Sequence, residues 1–402
     1  MKTIKFKDLL NDIDGITKGP FGGDVKKSLF VPYSEDCYKV YEQGVVANNN
    51  YLYGNYYLSK EYVETKLKKF ILKSGDVLIT GAGTLGLISI VPENIHKGII
   101  NQALIRIRLN ENIIDKTFFK YFFPYRLKKY ACRLSSDSVI PNMPPIDVLK
   151  EMPVELPELD EQKKIASILN AIDTQCERNN DMVHKLQVLA QTIYSRWFNQ
   201  FEFPNEGGLP YKSSGGKMVW NDELKREIPE VWQINLIGNL LIEEDKSKVQ
   251  VCEAKTNNGV FPFFTSGEEI LLYKDYFVDG PHCYLNTGGN ADVKFFDGKA
   301  SYSTDTWCIS FGEYTYFINE LLQFIKPQIN KLYFSGSGLK HLQKESFKQL
   351  KLFIPDAKTL RKYNAIVSGC YQQIANIYIE NNRLQSLKNS ILPLLINGQL
   401  KV

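Results

Sequence analysis

The sequence has few of the groups that a structural metal site or a disulfide framework requires. Its seven cysteines are an odd number, are scattered and include no C-x-x-C pair, and its four histidines do not pair at metal-ligand spacing. These absences argue against a zinc site or a disulfide-rich secreted fold and favour a reducing compartment. No apolar run approaches the ~20 residues that span a bilayer, and the charged N-terminus lacks the apolar core of a signal peptide. We therefore expect a cytoplasmic protein with no membrane segment.

The sequence also lacks a strong net charge. The whole chain carries +4; residues 1–157 have 22 basic and 17 acidic side chains, whereas residues 201–355 have 16 and 20. Bulk charge therefore does not indicate nucleic acid, and any such role must come from local patches.

A glycine motif of the form G-x-G-x-x-G occurs at Gly81, Gly83 and Gly86. A dinucleotide site would need a strand before these glycines and a helix after them, because the helix N-terminus binds the pyrophosphate. Val77–Thr80 reads as a strand, but residues 87–91 also read as a strand and Pro92 follows. The motif therefore predicts a strand–loop–strand hairpin, and we expect no bound cofactor in this chain.

Two long helical patterns stand out in the 402 residues. The first follows Pro157 and runs to Trp197; the second follows Pro355, and Pro393 and Gly398 are expected to end it. In both, apolar or small residues alternate at steps of three and four, which is the spacing of a coiled-coil seam, and each seam includes an Asn that can fix the register. The predicted seam residues are Ile165, Leu169, Ile172, Asn179, Val183, Leu186 and Ile193 in the first helix, and Leu360, Val367, Ile374, Ile377, Asn381 and Leu384 in the second.

The chain thus reads as a repeat in which a globular segment precedes each long helix. We define head 1 as residues 1–157 and head 2 as residues 228–355; the helices are residues 158–200 and 356–402, and a turn-rich linker covers 201–227. The first helix leaves head 1 and reaches head 2, so a paired second helix must run back and the pair must be antiparallel. About 38 residues at 1.5 Å each span roughly 55 Å. We therefore predict a dumbbell with an approximate internal two-fold relation.

This order of motifs resembles the specificity (S) subunit of type I restriction–modification systems over nearly the whole chain. Each motif is short, and the resemblance is carried by their order. The matching stretches are Lys18-Gly-Pro-Phe-Gly-Gly-Asp-Val25, Gly75-Asp-Val-Leu-Ile79, Asn101-Gln-Ala103, Leu156-Pro-Glu-Leu-Asp-Glu-Gln-Lys-Lys-Ile165, Ile228-Pro-Glu-Val-Trp232, Ser335-Gly-Ser-Gly-Leu-Lys-His-Leu342 and Leu392-Pro-Leu-Leu-Ile-Asn-Gly398. The chain departs from the family pattern in two ways: the second helix begins without the "EQ" pair, and residues 201–355 are net acidic.

The resemblance implies an α+β fold in which two α/β target-recognition domains with mixed, mainly antiparallel sheets are separated by the two-helix coiled coil. It also implies a non-catalytic subunit that reads a split sequence on double-stranded DNA, one half-site per recognition domain. The helices would dock two modification subunits, which use S-adenosylmethionine, and restriction subunits would add ATP- and Mg-dependent cleavage.

Contacts to DNA require cations for phosphates and polar side chains for base edges. In head 1, a basic, aromatic-rich segment runs from Lys116 to Arg133, and its alternative interpretation is a helix whose aromatic side chains pack on a sheet. Three further kinds of segment are predicted to contact DNA. They are two hairpin tips (Thr80 to Thr84 and Asn286 to Asn290), the loop from Thr17 to Asp24, and the basic segment around Lys340. The predicted DNA-contacting residues are Thr17, Lys18, Thr80, Thr84, Lys120, Arg126, Lys128, Lys129, Arg133, Asn286, Thr287, Asn290, Lys340, His341 and Lys344.

Other functions stay open at this point. The chain could be the specificity module of another bipartite restriction system, or a coiled-coil adaptor whose heads bind proteins. A stand-alone methyltransferase would need a donor-binding strand–loop–helix, which the hairpin interpretation denies it.

Overall fold

The computed structural model describes residues 2–11, 14–81, 86–134, 143–256 and 259–402. The chain divides into two compact units. Unit 1 comprises residues 1–175 and 385–402, and unit 2 comprises residues 176–384. The predicted boundaries at 157, 200, 227 and 355 divide the chain by sequence pattern and remain predictions.

Unit 1 is built from short strands and from helices of very different length. Its strands are β1 (Lys2–Lys5), β2 (Ile16–Lys18), β3 (Tyr38–Tyr41), β4 (Tyr57–Leu58), β5 (Val77–Thr80), β6 (Ile88–Ile90), β7 (Gly98–Ile100), β8 (Leu104–Ile107) and β9 (Pro153–Leu156). Its helices are α1 (Gln43–Ala47), α2 (Lys60–Tyr62), α3 (Lys116–Leu134), α4 (Ile146–Lys150) and the first part of α5 (Leu159–Tyr194).

Unit 2 has the same mixture. Its strands are β10 (Met218–Asn221), β11 (Arg226–Pro229), β12 (Gln233–Leu236), β13 (Ile242–Glu243), β14 (Phe261–Phe264), β15 (Ile270–Tyr273), β16 (Pro281–Asn286), β17 (Val293–Asp297), β18 (Ser301–Tyr302), β19 (Thr306–Ser310), β20 (Phe334–Ser335), β21 (His341–Leu342) and β22 (Lys351–Ile354). Its helices are α6 (Ile237–Leu240), α7 (Val251–Thr256), α8 (Thr315–Phe324), α9 (Lys326–Leu332), α10 (Lys344–Lys348) and most of α11 (Ala357–Ile396).

The two heads share one strand order. A four-stranded sheet is ordered β2-β8-β5-β6 in head 1 and β13-β19-β16-β17 in head 2, and a three-stranded sheet is ordered β4-β3-β7 and β15-β14-β18. In both heads one pair is parallel, β3 with β7 and β14 with β18, while the other pairs are antiparallel. In each head the last strand also pairs antiparallel with a strand near the start of the head, β9 with β1 and β22 with β12, and it leads into the long helix. The predicted internal repeat and the α+β fold are confirmed.

Gly81 and Gly86 of the glycine motif lie between two antiparallel strands, as predicted, and Gly83 lies outside the described residues. Strands β5 and β6 pair antiparallel, with Val77 opposite Ile90 and Ile79 opposite Ile88. Residues 98–107 form two strands and not one. Asn101 accepts a hydrogen bond from the Ala103 backbone N–H through its Oδ1 at 3.0 Å, so the chain turns there and passes from β7 in one sheet to β8 in the other.

The long helices pair antiparallel, as the order of heads and helices along the chain predicted. In unit 1, the Lys388 ammonium lies 2.5 Å from the Asp173 carboxylate. In unit 2, the Asn179 amide donates to Asn381 Oδ1 at 2.8 Å, and the rings of Trp197 and Tyr363 are 5.9 Å apart. The residue numbers fall on one helix as they rise on the other. The predicted seam positions are buried or half-buried, with Ile165, Leu169, Ile172, Asn179, Leu360, Val367 and Ile377 buried and Val183, Leu186, Ile193, Ile374, Asn381 and Leu384 half-buried.

The ends of the helices differ from the sequence prediction. The α-helical part of α5 ends at Tyr194, and Trp197 lies in the π-helical turn that follows. Pro393 does not end α11, which continues to Ile396 before Gly398 adopts a φ of +67°. Leu395 and Ile396 are buried in the core of unit 1, and this packing stabilises the last turn although Pro393 lacks a backbone donor.

Two different side chains fasten the two long helices to their heads. In unit 1, the buried amide of Gln162 accepts from the Asp115 N–H at 3.0 Å and donates to the carbonyl oxygens of Ile113 and Pro157, both at 3.0 Å. In unit 2, Asp356 caps α11 by accepting from the Thr359 N–H at 3.0 Å. Its capping hydrogen bonds outweigh burial, and the pKa of this carboxyl lies below its ordinary value. The cap therefore replaces the "EQ" pair that the second helix lacks.

Candidate nucleic-acid interface

Motifs that are far apart in the sequence of head 1 meet at the turn of residues 101–103. The Asn101 N–H donates to the Tyr41 carbonyl at 2.9 Å, the Gly19 N–H to Leu104 O at 2.9 Å, and the Gly81 N–H to Ala103 O at 2.8 Å. A Cβ on Gly19 would lie 1.8 Å from the Asn101 carbonyl oxygen, so glycine is required at this close approach. We call residues 18–24, 42–56, 81 and 101–103 loop cluster 1.

Head 2 repeats two of these connections at equivalent positions, those of Asn101 with Tyr41 and of Gly81 with Ala103, and has a further hydrogen bond between Thr304 and Val249. The Ser303 N–H donates to Phe264 O at 2.9 Å, the Thr304 N–H to Val249 O at 3.0 Å, and the Thr287 N–H to Asp305 O at 3.1 Å. We call residues 244–250, 265–269, 287–290, 303–305 and 340–341 loop cluster 2.

Two predicted parts of the site in head 2 are brought together. The Gly289 N–H donates to the Lys340 carbonyl at 2.9 Å, and the Leu342 N–H donates to the Thr287 carbonyl at 3.0 Å. The hairpin tip at residues 287–290 therefore lies against Lys340 and His341, although some 50 residues separate them in the sequence. Lys340, His341 and Asn290 are exposed, and Thr287 is half-buried with its hydroxyl donating to Asp305 O at 2.9 Å.

Thr80 and Asn286, two of the residues predicted to contact DNA, lie in buried surroundings. They occupy equivalent last positions of β5 and β16, and both side chains are buried. Thr80 Oγ1 accepts from the Leu87 N–H at 3.0 Å, and Asn286 Oδ1 accepts from the Asp292 N–H at 2.6 Å. Both side chains therefore form hydrogen bonds within their own hairpins.

Thr17 is likewise part of an internal network, which holds β2 against its sheet. Its hydroxyl donates to Asp14 Oδ1 at 3.1 Å and accepts from Arg106 Nη2 at 3.0 Å. Arg106 is fully buried and lies 2.6 Å from Asp14, and the neighbouring Arg108 lies 2.8 Å from the buried Asp76. Burial, together with the neighbouring Arg108 charge, lowers the pKa of Arg106.

This network was missed from the sequence. Its signal was the pair of arginines in the otherwise apolar strand of residues 104–109, together with the aspartate of the Gly75-Asp76 pair. The network fixes β2, which ends at Lys18 and leads into the loop of residues 19–24.

A cleft of about 570 Å³ in head 1 is lined by three lysines, Lys18, Lys66 and Lys69, and one acid, Asp24. Within the described ranges none of these lysines takes part in an ion pair. Phe21 forms part of the lining and is 87% exposed. The cleft therefore has more positive than negative charge next to the loop of residues 19–24, as contact with phosphates requires.

The basic segment of head 1 forms helix α3, and its aromatic side chains pack in the core. Phe118, Phe119, Phe122 and Phe123 are fully buried, which agrees with the alternative interpretation for the aromatic residues. Of the predicted cations, Lys120 lies 3.7 Å from Asp173 and Arg126 lies 3.4 Å from Glu155, whereas Lys128 and Lys129 are exposed. Thr84 and the side chain of Arg133 lie outside the described residues.

Lys344 of head 2 is engaged by two neighbours. Its ammonium lies 2.6 Å from Glu243 and 4.5 Å from the centroid of the Trp307 ring. Burial raises the pKa of Glu243, but hydrogen bonding and the charge of Lys344 outweigh it, so this carboxyl's pKa lies below its ordinary value. Lys344 is therefore a weaker candidate for a phosphate contact than the exposed Lys340.

One exposed segment of loop cluster 1 was also missed from the sequence. Residues 48–56 read Asn-Asn-Asn-Tyr-Leu-Tyr-Gly-Asn-Tyr, and Leu52 is 86% exposed with Asn48, Asn50, Asn55 and Tyr56 also exposed. The combination of Asn, Tyr and Gly was the available signal, because it is typical of loops that make adaptable polar and aromatic contacts.

The described residues include no cluster of three or more His, Cys, Asp or Glu side chains that could hold a metal ion. None of the helices in the described ranges combines the length and the apolar character that crossing a bilayer requires.

The sequence matches a family described as the type I restriction modification DNA specificity domain twice, over residues 26–189 and 227–389. The chain is similar to the type I restriction enzyme MjaIX specificity subunit of Methanocaldococcus jannaschii, with 25% identity over 89% of this chain and 85% of the relative. It is also similar to the putative type I restriction enzyme MjaX specificity subunit of that organism, with 22% identity over 84% and 81% of the two chains. Among solved structures, the fold is similar to that of the S subunit of the type I restriction-modification system from M. genitalium, with a TM-score of 0.56 and 16% sequence identity. The superposition covers 98% of this chain and 95% of that subunit. That likeness shows a shared fold.

Proposed function

This chain belongs to the family of type I restriction modification DNA specificity domains, of which it carries two copies, and we propose that each copy reads one half of a split target on double-stranded DNA. The chain is a specificity subunit with two target-recognition domains, and such subunits are the non-catalytic part of their enzyme complex. In this proposal head 1 reads one half-site through loop cluster 1, and head 2 reads the other through loop cluster 2.

The observation that carries the proposal is the duplication of the loop clusters. Equivalent backbone hydrogen bonds, Gly81 N–H to Ala103 O and Thr287 N–H to Asp305 O, tie equivalent hairpins to equivalent turns in the two heads. A duplicated scaffold with different loop side chains suits a protein that reads two different short sequences, because rigid elements position variable loops.

The charge distribution supports contact with phosphates in head 1, and in head 2 at one position. Head 1 offers Lys18, Lys66 and Lys69 around one cleft, and head 2 offers Lys340 next to the hairpin tip. Phosphate contacts would set the position of each head on the duplex, and the loop side chains would select the bases.

We further propose that the long helices dock two modification subunits, and that restriction subunits join that assembly in the cytoplasm. S-adenosylmethionine, ATP and Mg would then be bound by those partners and not by this chain. Exposed apolar side chains on both long helices are available for contact with such subunits. They include Ile168, Met182, Val188 and Leu189 on α5 and Ile366 and Leu387 on α11.

The test is to assemble the chain with its modification subunits and to map the methylated adenines on genomic DNA. We expect one motif made of two short half-sites separated by an unread spacer. Replacing residues 228–355 with the equivalent segment of another specificity subunit should change one half-site and leave the other unchanged. Methylation without sequence preference, or a change in both half-sites, would contradict the proposal; assembly without DNA selection would favour a protein-binding adaptor.

A further inference from the structure

The two loop clusters differ in one segment although their scaffolds are the same. Between β3 and β4, head 1 has fifteen residues, 42–56, which include α1 and the Asn- and Tyr-rich stretch. Between the equivalent strands β14 and β15, head 2 has five residues, 265–269, with the sequence Thr-Ser-Gly-Glu-Glu. The repeat therefore carries a long loop on one side only.

The long loop leaves its sheet at the end where the other loops of the cluster lie. Strands β3 and β7 are parallel, with Tyr41 opposite Ile100, so both chains leave the sheet at the same end. The Asn101 N–H donates to the Tyr41 carbonyl at 2.9 Å, which joins the start of the loop to the central turn of loop cluster 1. The loop is also tied to the hairpin, because Asn49 Oδ1 accepts from the Ser89 hydroxyl at 3.1 Å.

The exposed side chains of this loop suit base edges better than phosphates. Residues 48–56 contain no charged side chain. Asn is the side chain that pairs with adenine through two hydrogen bonds, and an apolar side chain contacts the thymine methyl group. Asn55 and Leu52 supply these two chemistries on the exposed surface of the loop.

The equivalent loop of head 2 is closed and acidic. The Lys294 ammonium donates to the carbonyl oxygens of Thr265 (2.8 Å) and Gly267, and Thr265 Oγ1 donates to Glu269 O at 2.9 Å. The exposed Glu268 and Glu269 would repel a DNA backbone. This loop is therefore a poor reader of DNA.

We propose that residues 48–56 form a base-reading loop of head 1 with no counterpart in head 2, so that the half-site of head 1 includes A·T base pairs whose selection depends on Leu52 and Asn55. This inference rests on the proposed function and names the residues that give one half-site its extra specificity. A modification subunit is the other surface that could cover the loop, and the experiment distinguishes the two.

The experiment compares the methylation motif of the assembled complex containing wild-type chain with that of L52A/N55A. The half-site of head 1 is first identified by exchanging residues 228–355. We expect L52A/N55A to relax discrimination at one or two A·T positions of that half-site by about tenfold or more. The half-site of head 2 should stay unchanged, as should the amount of complex assembled.

Two further variants keep the test decisive. V231A/N239A removes an exposed apolar and an exposed Asn side chain outside both loop clusters and should leave the motif unchanged. N55D keeps the size of the side chain but removes its donor, and should likewise lower selection of adenine in the half-site of head 1.

An unchanged motif in both L52A/N55A and N55D would overturn the inference, and so would weaker assembly with an unchanged motif, which would assign the loop to a protein partner. A wild-type complex without any split motif would overturn the proposed function itself, and the inference with it. The two failures are therefore distinguishable.

Discussion

Asn179 donates its side-chain amide to Asn381 Oδ1 at 2.8 Å, and this hydrogen bond joins the two long helices at positions where their seams are otherwise apolar or small. The Asn381 amide in turn donates to Asn180 Oδ1 at 3.0 Å. Because a buried amide is satisfied only when its partner lies opposite, the pair favours one register of the helices over its neighbours.

We predict that N179L and N381L each lower the free energy of unfolding by about 1–3 kcal/mol, since each leaves a partly buried amide without its partner. The double variant N179L/N381L should regain that loss, because two apolar side chains then face each other. Urea denaturation of the wild type, the two single variants and the double variant measures the coupling free energy between positions 179 and 381. N376L, which changes an exposed Asn of α11, serves as the control. Additive effects of the two substitutions would contradict the prediction.

Gln162 is predicted to be essential for fastening α5 to head 1. It is 1% exposed and makes three hydrogen bonds to backbone groups of residues 113, 115 and 157. Q162L leaves these buried groups unpaired and should cost about 2–4 kcal/mol of stability. Q187L, at an exposed position of α5, should cost less than about 0.5 kcal/mol. Equal urea midpoints for the two variants would show that the contacts of Gln162 do not stabilise the unit.

Glu320 should make unit 2 less stable as the pH rises. Burial raises the pKa of this carboxyl from 4.5 to about 7, although the hydrogen bond from the Tyr371 hydroxyl opposes the shift. The folded chain therefore retains a proton that the unfolded chain has lost between pH 4.5 and 7. Across that window stability falls by up to about 3 kcal/mol, and above pH 7 this contribution is constant.

E320Q tests this dependence, because glutamine keeps the shape of the side chain without its charge. The variant should match the wild type near pH 5 and exceed its urea midpoint at pH 8. E313Q, at an exposed position that precedes α8, should follow the wild type at both pH values. The same pH dependence in E320Q and wild type would assign the effect to another group.

The lysines of head 1 should contribute to DNA affinity without regard to sequence. K18A/K66A/K69A should weaken binding of the assembled complex to all duplexes and flatten the plot of log affinity against log salt, by up to about three in slope. K340A should reduce the slope by about one, and K344A by less, since Lys344 already pairs with Glu243 at 2.6 Å. K217A removes a lysine that pairs with Glu230 and provides the control. An unchanged slope in the triple variant would exclude the cleft from the interface.

The elements with strong periodicity could be predicted from the sequence. The heptad seams of α5 and α11 predicted that the two helices pair, because such a pattern records which face of a helix is buried. The antiparallel direction followed from the order of heads and helices along the chain. The hairpin of β5 and β6 followed from two apolar strands on either side of the glycines, and the repeat followed from the order of motifs.

The exposure of individual loop residues could not be predicted in the same way. Thr80 and Asn286 have the chemistry of base readers, but a side chain at the last position of a hairpin strand can as easily accept a backbone N–H of its own loop. The turn at Asn101 was hidden because both flanking strands are buried and rich in isoleucine and leucine, so the segment reads as one continuous strand. Residues 48–56 lack periodicity and charge, so only their composition distinguished them.

The order in which the two units can complete their cores during synthesis follows from where Leu395 and Ile396 lie. Both side chains belong to the same core as Phe118 and Ile165, so the ribosome must translate all of unit 2 before unit 1 receives its last core residues. The continuous unit 2 can therefore fold before the core that contains Ile165 and Leu169 is complete. In this protein the part made first is therefore the part finished last.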